Sequence, residues 1–109
     1  MVIDIHKRKP VLANNTGGLS GPAVRPIAVR MTYEVAQAVT IPVIGMGGIT
    51  CGDDAVQFFL AGATAVMIGT AGLSNPMAWI DSVGQIKNYC DRYNFQSIYD
   101  IIGKLQMNN

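Results

Sequence analysis

Ile44-Gly45-Met46-Gly47-Gly48-Ile49 and Val66-Met67-Ile68-Gly69-Thr70 decide how this chain reads. Each follows a short apolar run, closes on glycine, and gives way to a helical pattern. A side chain at a tight strand-to-helix turn would block an approaching phosphate oxygen. Glycine leaves the backbone N–H groups bare and tolerates unusual dihedrals. Two consecutive strand ends of this kind look built to hold one phosphate, and in barrels of alternating strands and helices such a site is frequently made by the loops after strands seven and eight.

Working outward, Ile41 to Met46 reads as a buried strand opened by Pro42, and Thr64 to Ile68 as a second, almost wholly apolar strand. Such runs are the signature of a parallel sheet covered on both faces. Between them a helix is expected from about Gly52 to Ala61, with Asp53 and Asp54 in its first turn and Gly62 as its stop. Upstream, Ile27, Met31, Val35 and Ala38 recur at three- and four-residue steps, which predicts a helix from Pro26 to Ala38 with that stripe buried. Downstream, Asn75-Pro76 opens a helix carrying Trp79, Ile80, Val83, Ile86 and Tyr89, and a last helix is expected over Ser97 to Leu105 before a frayed tail, Gln106 to Asn109. At the start, Val2 to Ile5 and Val11 to Ala13 suggest a hairpin around the polar turn His6-Lys7-Arg8-Lys9-Pro10, followed by a flexible loop from Asn14 to Gly21.

The resulting order is hairpin, glycine loop, helix, strand, helix, strand, helix, helix, which is α/β grammar. Two central parallel strands make a thin sheet, whereas a complete TIM (β/α)8 barrel needs eight strands and about 250 residues. The expectation is a single incomplete domain, residues 1–109, forming the C-terminal portion of such a barrel with an inserted hairpin.

Composition narrows the class. The chain has 109 residues, 50% apolar and 14% charged, with a formal net charge of +1, so it is core-rich and offers no broad basic surface for nucleic acid. No window approaches the roughly 20 apolar residues of a membrane span, and a soluble, cytoplasmic protein is expected. Cys51 and Cys90 lack metal or redox spacing and read as reduced thiols. His6 is the only histidine, so no histidine pair is available for a metal, and its place at a polar turn favours a solvated side chain.

Asn15-Thr16-Gly17-Gly18-Leu19-Ser20-Gly21-Pro22-Ala23, the two glycine-ended strands, and Leu60-Ala61-Gly62-Ala63 together resemble, in order and spacing, the C-terminal part of dihydroorotate dehydrogenase. The loops most resemble the catalytic subunit of the bacterial, NAD-linked 1B class. The resemblance implies a flavin barrel that oxidises dihydroorotate to orotate in pyrimidine biosynthesis. It implies FMN as hydride acceptor, the FMN phosphate being held by backbone groups at Gly21, Gly47, Gly48, Gly69 and Thr70. It also implies a partner subunit carrying FAD and an iron–sulfur cluster. The family's catalytic cysteine, the lysine near the flavin and the substrate-gripping asparagines correspond to sequence upstream of this stretch. No catalytic residue is therefore expected here, and the chain alone is expected to be inactive.

Other readings of the residues stay open beside this one: a non-catalytic phosphate- or flavin-binding fragment that self-associates through open strand edges, or a different phosphate-binding barrel. Cys51 has no histidine or carboxylate suitably placed in sequence to activate it. Asp53 and Asp54 read as helix N-terminal charge, because adjacent helical residues point in different directions. Trp79, Tyr89, Met31, Met46 and Met67 read as core.

Overall fold

The structure is a computed structural model and describes residues 1–108; of the expected frayed tail, Asn109 lies outside the described residues, and residues 104–108 carry no regular secondary structure. Ile3–Asp4 (β1) and Lys9–Pro10 (β2) pair antiparallel, Ile3 opposite Pro10 and Asp4 opposite Lys9. The second strand of this hairpin lies earlier than Val11 to Ala13, because Asp4 Oδ1 accepts hydrogen bonds from the N–H groups of His6 and Lys7 and closes the turn early.

A single 3-10 turn, Pro22–Val24, leads into α1, Arg25–Ala38; β3 is Ile44–Met46 and α2 is Gly52–Leu60. β4 is Ala65–Met67, a short α3 is Thr70–Ser74, and α4 is Ala78–Arg92. β3 and β4 are parallel, with Ile44, Gly45 and Met46 opposite Ala65, Val66 and Met67. The Thr64 N–H, donating to the Val43 carbonyl at 2.8 Å, extends this pairing by a step. Gly45 is buried because α2 lies directly on it: a β-carbon there would stand 2.5 Å from the Phe58 ring.

The core is Ile49, Ala55, Val56, Phe58, Phe59, Ala63 and Ile101, gathered between α2, the strands and the C-terminal segment. Only one face of the strand pair is covered. Ile44 and Met46 are each 59% exposed and Met67 is 54% exposed, so the expectation of strands buried on both faces does not hold among the described residues. The α1 stripe is corrected in the same way. Ile27, Met31 and Val35 are exposed, while Thr32 is the residue of this helix that is buried. Thr32 tolerates burial because its hydroxyl donates to the Ala28 carbonyl at 2.9 Å.

The expected last helix reduces to one 3-10 turn, Ile98–Asp100, closed by a capping box between Ser97 and Asp100. Gly103, at φ +69°, turns the chain out of helical register. The N–H groups of Gly103 and Leu105 then donate to the carbonyls of Phe59 and Leu60 at the end of α2, and Ile101 is driven fully into the core. Two parallel strands and a separate hairpin do not close a barrel among the described residues.

Candidate phosphate-binding site

Three glycine-bearing turns meet at the C-terminal ends of β3 and β4. Gly21, Gly47, Gly48, Gly69 and Thr70 all line one cavity of about 380 Å³, whose apolar side is formed by Ile27, Met31 and Met46. Gly21, Gly48, Gly69 and Thr70 also border a neighbouring cavity of about 290 Å³. Both volumes are of the order of small-ligand sites, which run from about 300 Å³ upward. In α/β sheets, ligands bind just outside the carboxyl ends of the strands.

Gly48 requires its glycine. Its φ is +70°, and a β-carbon would lie 2.6 Å from the Gly21 carbonyl oxygen and 2.9 Å from the Arg25 β-carbon. The close approach of Gly21 to Gly48 is what brings the loop before α1 against the turn after β3. Gly69 differs: nothing lies within 4 Å of its missing β-carbon. Among the described residues the N–H groups of Gly48, Gly69 and Thr70 donate to no backbone acceptor. Thr70, the first residue of α3, also brings a hydroxyl to the cavity.

Behind the turn lies a charged cluster that the sequence did not reveal. Arg25 Nη1 pairs with Asp54 Oδ1 at 2.9 Å and donates to the Gly48 carbonyl at 3.4 Å. Asp54 Oδ2 accepts from the Thr50 N–H at 2.9 Å and from the Thr50 hydroxyl at 2.7 Å. Burial alone would raise the Asp54 pKa, but the Thr50 side-chain and backbone hydrogen bonds and the Arg25 cation outweigh it and hold the carboxyl below its ordinary value. Asp54 therefore does more than complement the α2 dipole. It occupies the third helical position and reaches back past the N-cap Cys51, in the manner of a capping box displaced by one residue. The Thr50-x-x-x-Asp54 spacing was the available signal; Arg25 had none, since its partners are far away in sequence.

The remaining sequence candidates lie elsewhere. Cys51 borders a polar depression with Asp53, Gln85 and Arg92, outside the glycine cavity, and Cys90 is buried in α4; both are free thiols. His6 is exposed. Among the described residues no cluster of three or more His, Cys, Asp or Glu could hold a metal, and no helix is long and apolar enough to cross a membrane. Trp79 is 53% exposed rather than core, with its indole lying against Gly72 of α3, and Met31, Met46 and Met67 are likewise exposed. Tyr89 is half-buried and stacks on Phe95.

Strand, glycine turn and helix repeated twice around one cavity define an α/β scaffold with that cavity at the carboxyl ends of its parallel strands, where α/β folds bind ligands. Comparison with known proteins gives the family. The family model described as dihydroorotate dehydrogenase matches residues 1–88, and the chain belongs to that family. It is 58% identical over 105 residues to the dihydroorotate dehydrogenase B (NAD(+)) catalytic subunit of Alkaliphilus oremlandii, covering 96% of this chain and 35% of that protein. It is 50% identical over 104 residues to the corresponding subunit of Oceanobacillus iheyensis, covering 95% and 34%. The chain thus spans about a third of the length of these curated relatives. The crystal structure of DHODH in complex with ferulenol from Eimeria tenella superposes with a TM-score of 0.77 at 26% identity, over 82% of this chain and 24% of that one.

Proposed function

We infer that the protein carrying this chain is an FMN-dependent dihydroorotate dehydrogenase that oxidises dihydroorotate to orotate in pyrimidine biosynthesis. On this reading residues 1–109 are the C-terminal part of its TIM barrel and supply the FMN-phosphate site. The observation that carries it is the convergence of Gly21, Gly47, Gly48, Gly69 and Thr70 on one cavity at the strand ends, in a chain of this family.

The residues fit the group. A phosphate needs convergent donors without intruding side chains, and Gly48, Gly69 and Thr70 present N–H groups with no backbone acceptor where a β-carbon at Gly48 would find no room. FMN, when bound, supplies the hydride acceptor. Gly48, Gly69 and Thr70 would hold its phosphate through N–H donors, with the Thr70 hydroxyl beside them, and Ile27, Met31 and Met46 would form the apolar side of the cavity. The proton-abstracting base and the substrate-binding groups lie outside these residues, so the chain alone does not turn over. The relatives' designation as catalytic subunits supports a separate electron-transfer partner, which on the family resemblance carries FAD and an iron–sulfur cluster. The reading is of a cytoplasmic enzyme.

Gly69→Asp is the informative test. The missing β-carbon at Gly69 meets nothing within 4 Å, so charge and bulk enter the cavity without a steric clash at that atom. Introduced into the full polypeptide carrying this sequence, it should lower co-purifying FMN at least about 10-fold, the loss of one or two charge-assisted hydrogen bonds plus repulsion, with an unchanged far-UV circular dichroism spectrum. Full flavin content in the variant would refute the assignment.

A further inference from the structure

We propose that Arg25, Asp54 and Thr50 are positioning residues that set the orientation of the Gly48 peptide, and thereby the discrimination of the site for a phosphorylated over a phosphate-free flavin. This rests on the phosphate reading above and adds residues set behind the glycine cavity, Thr50 also bordering the smaller neighbouring one.

Gly47 and Gly48 both have positive φ, +130° and +70°, and successive glycines have little intrinsic preference for one direction of the peptide that joins them to the next residue. Direction matters here. The Gly48 carbonyl oxygen, rotated into the cavity, would face an anion with like partial charge beside the Gly48 N–H, which belongs to the preceding peptide. In the structure the Gly48 carbonyl is held by Arg25 Nη1, and the N–H of the following peptide, at Thr50, is held by Asp54 Oδ2. Between them Ile49 is anchored in the core at 3% exposure. Rotation of the Gly48 peptide therefore breaks the Arg25 contact while Thr50 and Ile49 stay fixed, which confines the turn to one state.

Arg25 is not itself the anion's ligand. It lines neither cavity bordered by Gly48, and its charge is directed at a buried carboxylate 2.9 Å away. The cluster also ties three elements to the turn: Arg25 opens α1, Asp54 lies in the first turn of α2, and Gly48 follows β3. Its placement explains why an ion pair is kept behind a site whose own lining carries no charged side chain.

The test compares FMN with riboflavin, which has the same ring and lacks the phosphate, on the full polypeptide stripped of flavin, with binding followed by flavin fluorescence. Wild type should prefer FMN by about 100-fold or more, as expected of several charge-assisted hydrogen bonds. Asp54→Asn should lower FMN affinity about 10-fold or more and leave riboflavin affinity within about twofold, so the preference collapses. Thr50→Val, which removes one hydroxyl from an exposed residue and spares the fold should Asp54→Asn not tolerate it, should lower the preference about threefold. Folded variants that keep the wild-type preference, or that lose both ligands equally, would overturn the positioning role. A wild type with no preference for FMN would instead overturn the phosphate reading, and this inference with it.

Discussion

Asp54 is the residue at which stability and site geometry meet. Its carboxyl is buried, paired with Arg25 and bonded twice by Thr50, and its pKa is depressed in the folded chain. As pH falls, the unfolded state, with its aspartate near the ordinary value of ~3.9, takes up the proton first. The contribution of Asp54 is therefore complete above about pH 4 and disappears as pH drops through the lower folded value. Asp54→Asn should cost about 2 kcal/mol near neutrality, since a hydrogen-bonded charge is removed and the partly exposed Arg25 can still reach water. Its urea midpoint should also depend less on pH below 4 than that of wild type. Parallel pH profiles for the two proteins would refute this. The first-turn position of Asp54 was legible in the sequence from the glycine stop and the helical period. Its partner was not, because no local rule links residue 54 to residue 25.

Two glycines on neighbouring helices make opposite predictions for the same substitution. Gly52, at the start of α2, lies where α4 crosses: a β-carbon would collide with the Gln85 side chain and approach the Ser82 carbonyl to 2.8 Å. Gly84, in the middle of α4, has nothing within 4 Å. Alanine should raise stability at Gly84 by roughly 0.5–1 kcal/mol through helix propensity. At Gly52 overpacking exceeds that gain, and the variant should lose about 1–3 kcal/mol. Urea midpoints shifting the same way at both positions would refute the crossing geometry. The helices were legible because glycine, proline and the 3.6-residue period act locally. The last one failed partly within its own residues, where Gly103 turns the chain, and partly outside them, because the C-terminal carbonyls of α2 take up the N–H groups of Gly103 and Leu105.

The described chain is elongated, 56 by 33 by 27 Å, with a radius of gyration of 16.7 Å. A compact domain of this length would have about 13 Å. Exposed apolar side chains on α1 and both strands, Ile27, Met31, Val35, Ile44, Met46 and Met67, accompany that shape. Large uncovered apolar surface and open strand edges favour association. The 109-residue chain alone should therefore sediment as a concentration-dependent mixture of oligomers. Val35→Glu, on the exposed face of α1 and away from the glycine cavity, should shift it toward monomer without loss of helix. A wild-type monomer at all concentrations would refute the expectation.

The order of strands and helices as far as β4 could be read from residues in sequence, as could the positions of the glycine turns, because glycine at a strand end and apolar periodicity in a helix are consequences of the local backbone; the short α3 and the reduction of the last helix to a 3-10 turn could not. The assembly of those turns into one cavity, with the Gly21 carbonyl lying where a Gly48 β-carbon would be, came from the packing of α1 against the sheet. The same holds for burial. Periodicity says that α1 and the strands have apolar faces, but exposure depends on which faces find a neighbour, and here Thr32 is covered while Met31 is not. Side chains distant in sequence, such as Arg25 and Asp54, acquire their roles only when the folded chain brings opposite charges within hydrogen-bonding distance, since neither residue carries a local signal of its partner.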